Sequence, residues 1–306
     1  MMGRMKILVC LLVSAALCAL VPVASGQDTP PSTDIFLVPL TSRGEKLAAG
    51  APLNVTSREG YDNQPLFLPD NRAFLYTSQR EGQTDIYRYV LKSHAHERLT
   101  ATTESEYSPT PAPGGTDFSV IRVEADKTQR LWKFPLQATG GKPSLVLERI
   151  KPIGYHAWLN RHRLVLFILG TPNTLQLIDT RGEQAEVVAE NIGRALHVIP
   201  GGRGKVSFVH KISEGEWFVK SLDPATRKIE MIVRMLPGSE DLTWLPDGSL
   251  LSAREAKLYR FRPQARDAGW QQVADFSAAG LREITRLAAN SRGDQLALVA
   301  LPIAKK

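Results

Sequence analysis

The chain has 306 residues, enough for one large domain or two ordinary ones. Its 38 Lys and Arg outnumber its 31 Asp and Glu for a formal charge of +7, yet the basic residues are scattered and the densest run is only "NRHRL" at 160–164. Without a basic stripe interleaved with aromatics the charge argues against nucleic acid as a partner and describes a mildly basic, solvated surface.

The chain begins as an export signal. Arg4 and Lys6 precede the apolar run "ILVCLLVSAALCALVPVA", and Ala24-Ser25-Gly26 supply small residues before the polar "QDTPPSTD". A charged start, an apolar centre and a small-residue exit are what a signal peptidase cleaves. Residues 1–26 are therefore expected to be removed and 27–33 to be a flexible lead. The competing reading is a membrane anchor, but the run is short for a spanning helix and Pro22 breaks its end. Bulky Leu17 before Cys18 argues against lipid attachment. No other stretch is long enough to span a bilayer. Both cysteines, Cys10 and Cys18, fall in the signal. The mature chain thus has no thiol, disulfide or Cys metal ligand, which suits a periplasmic or secreted protein, and a hydrophobic core must hold it. A monomer with no membrane span after cleavage is expected.

From residue 34 on, the chain repeats itself. Tight turns fall at "PDN" (Pro69), "PGG" (Pro113), "LNR" (Leu159), "PGG" (Pro200), "PDG" (Pro246) and "SRG" (Ser291), at intervals of 44, 46, 41, 46 and 45 residues. That spacing is one four-stranded propeller blade. The first unit reads as "PLFL", "AFLYTS", "DIYRYVL" and "ERLTA". The second reads as "SPTPA", "DFSVIRV", "RLWKFPL" and "SLVLERI". The third is "YHAWL", "RLVLFIL", "TLQLID" and "AEVVAE"; the fourth, "LHVI", "KVSFVHK", "WFVKSL" and "KIEMIV"; the fifth, "LTWL", "SLLSA", "KLYRF" and "WQQVADF". Short β-branched and aromatic runs broken by Gly, Asn, Asp and Pro are hairpin signatures. The best helix candidate is "SAAGLREITRLAAN" at 277–290, but it carries Gly280 and its tail falls where the other units have a first strand.

The C-terminus holds half a unit, "ITRLAAN" and "QLALVAL". The other half stands at the N-terminus, as "DIFLVPL" and a strand around "APLNVTS". An open ring would expose two strand edges, so the halves are predicted to share one sheet. The expectation is an all-β, six-bladed β-propeller of four-stranded antiparallel blades over residues 34–303, closed by a composite blade from the N- and C-terminal strands.

The first unit resembles the repeat of TolB-type, WD-like propellers: Phe67, Pro69-Asp70-Asn71, "AFLYTS", Ser78-Gln79-Arg80-Glu81-Gly82, Ile86-Tyr87 and Leu99-Thr100. The fifth keeps Trp244, Pro246-Asp247-Gly248 and Leu258-Tyr259. By period the resemblance covers nearly the whole mature chain, by motif two units. It implies six blades and an exported protein. Tol-system members carry a separate α/β domain before the propeller, and here only a few residues stand between the signal and the first strand, so the resemblance does not imply a place in the Tol complex.

Catalytic strings are missing. There is no G-x-S-x-G elbow; "HERLT" at His96 has Thr100 where a zincin has its second His, and "GGRGKV" at Gly201 lacks the Ser/Thr of a phosphate loop. "NVT" at Asn54 is a glycosylation sequon. What remains is His156 and His197, each three residues before its turn on the first strand of adjacent units. First strands line a propeller's channel, so these imidazoles are expected near each other, flanked by Gln64, Glu106, Arg194, Asp241, Thr243 and Arg286. They form either a polar pocket at one channel mouth, with calcium or zinc if a metal is held, or two histidines packed between blades. The second is preferred, since two ligands without a third do not make a site. The five tryptophans are read as packing between blades.

The reading these features favour is an exported, non-catalytic scaffold that needs no cofactor and binds an envelope or extracellular protein, a peptide or a polymer through one face. The alternative is a channel-centred, metal-dependent enzyme of the six-bladed lactonase or cyclase type, using Glu106, His156, His197 and Asp241.

Overall fold

A computed structural model describes residues 31–137, 142–265 and 269–302. The expected signal, residues 1–26, lies outside them. The chain opens with β1 (Asp34–Arg43), β2 (Lys46–Ala49) and β3 (Leu53–Asn54). Four-stranded blades follow. The first is β4 (Asp62–Phe67), β5 (Ala73–Arg80), β6 (Gln83–Val90) and β7 (Ala95–Arg98). The second is β8 (Ser105–Pro111), β9 (Asp117–Val123), β10 (Gln129–Pro135) and β11 (Ser144–Leu145). The third is β12 (Ile153–Trp158), β13 (Arg163–Ile168), β14 (Thr174–Asp179) and β15 (Gln184–Glu190). The fourth is β16 (Ile192–Val198), β17 (Val206–Ser213), β18 (Glu216–Leu222) and β19 (Ile229–Arg234). The fifth is β20 (Leu242–Trp244), β21 (Leu250–Arg254), β22 (Lys257–Phe261) and β23 (Gln271–Asp275). Each is an antiparallel meander in chain order. The last strands are β24 (Leu281–Ala289) and β25 (Gln295–Pro302).

The sixth sheet joins the two ends. Strand β1 pairs antiparallel with β25 from Asp34↔Ala300 to Pro39↔Gln295. Strand β25 pairs in turn with β24. The outer position is divided, because β1 is longer than a blade is tall: β3 pairs Phe36 and Leu37, and β2 pairs the far end from Leu40 to Arg43.

Side-chain alternation seals the ring. In β1, Ile35 and Leu37 face the first blade's Phe74 and Tyr76. Phe36, Val38 and Leu40 face the opposite way, onto Leu251 and Leu258 of the fifth blade. A period of two thus serves both neighbours with one strand. Among the described residues there are six apolar clusters, and each joins two adjacent blades. Burial of these faces is the main favourable term, about 25 cal/mol for each Å² of apolar surface removed from water.

The repeated turns are built as their residues require. Asp70 Oδ1 accepts the Arg72 N–H at 3.0 Å, and Asp247 Oδ1 accepts the Ser249 N–H at 2.9 Å. Gly248 and Asn71 hold positive φ, 80° and 57°, which Gly and Asn tolerate best. Tryptophans pin neighbouring blades in three places, one through Trp270 Nε1 on the Arg234 carbonyl at 2.8 Å and two through serines. Trp158 Nε1 donates to Ser119 Oγ at 2.8 Å, and Trp244 Nε1 donates to Ser207 Oγ at 2.8 Å. In both, the serine belongs to the second strand of the preceding blade. Trp132 instead donates to Glu124 in its own blade.

Two segments depart from the sequence expectation. The helix candidate at 277–290 becomes one 3-10 turn, Ser277–Ala279, ended by Gly280 at φ 85°, and then runs straight into β24. The long outer strand expected at "SLVLERI" is only two residues. The next blade takes over its amides: Glu183 accepts the N–H groups of Glu148 and Arg149 at 2.7 and 2.8 Å, drawing the chain off the sheet.

Candidate functional site

The first strand of every blade faces the centre. Five of the six carry an irregularity where they pair with their neighbour: β4 between Asn63 and Leu66, β8 between Tyr107 and Thr110, β12 between Ile153 and Tyr155, β16 between Ile192 and Leu196, and β24 between Arg282 and Arg286. Gln64 and Ser108 take positive φ there, 57° and 53°. A bulge re-aims side chains that strict alternation would send elsewhere. These bulges put Gln64, Ser108, Tyr155, Arg194 and Arg286 at one level of the channel, where they line both of its cavities.

One cavity, about 350 Å³, lies toward the C-terminal ends of the inner strands and draws on all six blades. His156, His197, Arg194 and Asp241 line it, within a wall that includes Phe67, Trp158 and Val198. The two imidazoles that the sequence reading expected near each other both line this cavity. Thr243 and Glu106 line neither cavity. Thr243 is buried, its Oγ1 accepting the Ala289 N–H at 3.1 Å. Glu106 is fully buried on the other face of β8, where its Oε1 accepts from Thr102 Oγ1 at 2.5 Å and lies 3.3 Å from Arg122 Nε. Burial pushes its carboxyl up to about 7 despite Thr102 and Arg122.

His156 is buried. Its Nε2 lies 2.6 Å from Ser119 Oγ, the hydroxyl that also receives Trp158 Nε1 and faces the Thr110 carbonyl at 3.2 Å. In either tautomer Nδ1 is left buried without a partner. Burial lowers the ring's pKa to about 3, so the imidazole is neutral. His197 is half-buried, and burial lowers its pKa too, with Asp241 acting in opposition.

Asp241 is committed. Its Oδ1 accepts the Leu287 N–H at 2.9 Å, while Oδ2 lies 3.4 Å from Arg286 Nη1 and 3.8 Å from Arg194 Nε. Arg286 Nη2 donates to Tyr155 Oη at 2.9 Å, and Arg194 Nη2 donates to the Thr285 carbonyl at 2.9 Å. Burial works against the Arg286 charge, but Tyr155 and Asp241 outweigh it and raise its pKa. The link from Asp241 to Leu287 recurs around the ring. Gln64 Oε1 accepts the Ser108 N–H at 2.8 Å, and Glu240 Oε1 accepts the Arg194 N–H at 3.0 Å. Each joins one inner strand to the next, one repeat period away.

Solved structures superpose on this architecture. A TolB protein from Agrobacterium tumefaciens matches with a TM-score of 0.67 and 15% identity, over 89% of this chain and 99% of that one. The fold is that of the TolB propellers. TolB from Acinetobacter baumannii matches with a TM-score of 0.58 at 12% identity, over 88% of this chain and 64% of its own. An oligogalacturonate lyase in complex with manganese matches with a TM-score of 0.53 at 15% identity, over 83% of this chain and 80% of its own. One curated relative, an uncharacterised protein of Agrobacterium fabrum, is 30% identical over 78 residues, 26% of this chain and 27% of that protein. No family model matches. Among the described residues of this TolB-like propeller, no group of three or more His, Cys, Asp and Glu could hold a metal ion, and no helix is long and apolar enough to cross a membrane.

The tyrosines of the channel were missed from sequence. Tyr61 and Tyr107 stand before or early in their inner strands, and Tyr155 is next to His156. All three line the second of the two cavities, farther from the turns than the stretch a turn-based alignment compares.

Proposed function

We propose that the chain is an exported, non-catalytic propeller that binds an extended segment of an envelope protein at the channel mouth walled by His156, His197 and Val198. The observation carrying this reading is how that mouth is furnished. Among the described residues its one carboxylate, Asp241, is held by a backbone amide and faces two guanidiniums, so that carboxylate is not free to activate a nucleophile. Around it lie the apolar groups Phe67, Trp158 and Val198, the last 40% exposed. An apolar wall with a few fixed polar groups is a binding surface. The apolar run at residues 7–24 supports export.

Site-specific photocrosslinking in the chain's own cells tests the proposal. A photoreactive residue at position 198 is expected to give a discrete protein adduct, and one at Met231, exposed on outer strand β19, none. No adduct at 198, or the same adducts at both, would overturn it. The metal-enzyme alternative is favoured by the unpartnered Nδ1 of His156 in the cavity it shares with His197. Stoichiometric calcium or zinc in natively purified protein, retained by wild type and lost by His156→Ala, would replace the scaffold reading with that one.

A further inference from the structure

The channel has a second cavity, toward the N-terminal ends of the inner strands, of about 500 Å³. Tyr61, Tyr107 and Tyr155 line it together with Gln129, Arg194 and Arg286. We propose that this cavity is a binding site for a small, hydroxylated carboxylic acid, its carboxylate on Arg194 and Arg286 and its body among the three tyrosines.

Charge supplies the first argument. Two guanidiniums share one carboxylate, and that carboxylate is divided: one oxygen is taken by Leu287 N–H, and the other stands 3.4 and 3.8 Å from the arginines. Charge-assisted N–H···O bonds run at about 2.7–2.9 Å; here Arg286 Nη1 makes only a long hydrogen bond to Oδ2, at 3.4 Å, and Arg194 Nε makes none to it. Glu240 does not fill the gap, because its Oε1 serves Lys211 Nζ at 3.0 Å and the Arg194 backbone N–H. The cluster of Arg194, Arg286, Lys211, Asp241 and Glu240 keeps one positive charge in excess. A cation held in a narrow, low-dielectric channel draws an anion more strongly than the same cation on an open surface.

Unfilled donors supply the second. Arg194 Nε is buried without a hydrogen-bond partner. The Tyr61 and Tyr107 hydroxyls make no hydrogen bond among the described residues, although both side chains are only half-exposed. Burial, opposed by Arg286, pushes the Tyr61 phenol up to about 12, so it remains a donor at neutral pH. Phenol donors above a guanidinium pair suit a ligand with oxygens on its body as well as a carboxylate.

A carboxylate of this kind could be supplied by a free acid or by a peptide's C-terminus, and calorimetry with four probes separates the two. Glucuronate tests the free acid, with glucose as its uncharged counterpart; Gly-Gly-Ala tests the chain terminus, with its C-terminal amide as counterpart. Glucuronate is expected to bind and glucose to give no heat. The Tyr61→Phe and Tyr107→Phe variants, which remove one hydroxyl each and keep the ring, are each expected to weaken glucuronate by about 3- to 10-fold. Binding by Gly-Gly-Ala but not by its amide or by glucuronate would keep the carboxylate site and overturn the small-acid assignment. Silence from both acids, equal binding of glucuronate and glucose, or unchanged affinity in both Phe variants would overturn the proposal. Tyr61 and Tyr107 line only this cavity and Val198 only the other, so this test and the crosslinking test fail independently.

Discussion

Asp241 holds the backbone of Leu287: its Oδ1 accepts that N–H at 2.9 Å, across the seam between the fifth blade and the composite blade. Among the described residues the same side chain is the only carboxylate that Arg194 and Arg286 both approach. One residue therefore acts in closing the ring and in setting the charge of its channel. Asp241→Ala should cost about 3–5 kcal/mol, because it leaves a buried amide and two guanidiniums without their partner. Asp241→Asn keeps an acceptor for Leu287 and should cost about 1–2 kcal/mol. Urea unfolding of the two variants checks the order.

Leu298 is fully buried in the closing strand β25 and pairs opposite Phe36 of β1. Leu298→Ala should destabilise the protein by about 2–5 kcal/mol, the range for a large-to-small change in a packed core. Met231 is 67% exposed on an outer strand, and Met231→Ala should lie within about 0.5 kcal/mol of wild type. Equal effects in denaturant titrations would show that the ends do not seal the sheet.

Ser207→Ala would leave Trp244 Nε1 buried with no acceptor, at about 1–3 kcal/mol. Ser119→Ala strands both Trp158 Nε1 and His156 Nε2 and should cost more than Ser207→Ala. Melting temperatures of the pair rank them.

Glu106 gives stability a particular pH dependence. Its folded pKa is raised, from 4.5 to about 7. Between those values the folded state holds a proton that the unfolded state has released, so stability falls as pH rises from about 4.5 to 7 and is level beyond. His156 works the other way. Its pKa is lowered from 6.5 to about 3, so the unfolded state binds the extra proton and stability falls as pH drops through that window. Glu106→Gln isolates the first effect: relative to wild type, the variant should gain stability steadily from pH 4.5 to 7. A constant difference across that range, measured by urea unfolding at each pH, would contradict the buried carboxyl.

The architecture was readable because turn chemistry recurs at a fixed interval. Pro69, Pro113, Pro200 and Pro246 each open a tight turn, and alternation between the turns tells which face of a strand is apolar. The shared sheet followed from an inference about unpaired edges, and the pairing of Asp34 with Ala300 matches it. The channel was readable only in part. Counting back from each turn reaches His156 and His197 along a regular stretch of inner strand, and both line one cavity. Farther from the turn the bulges shift the count, and Glu106, which a simple alternation sends to the channel, is buried on the opposite face. Tyr61 and Tyr107 lie beyond such irregularities, at 63–66 and 107–110. The outer strand of the second blade was overestimated because its sequence is strand-like, while the carboxylate that diverts it, Glu183, stands 35 residues away from Glu148.

The pairing of β1 with β25 sets an order of events on the ribosome. Strand β1 is among the earliest parts of the ring to be made, and its partner is the last. Until residues 295–302 are available, β1 lacks the partner that pairs with Asp34 through Pro39, and the ring stays open at that edge. A ring wired this way cannot close until strands from both ends of the propeller are present to pair.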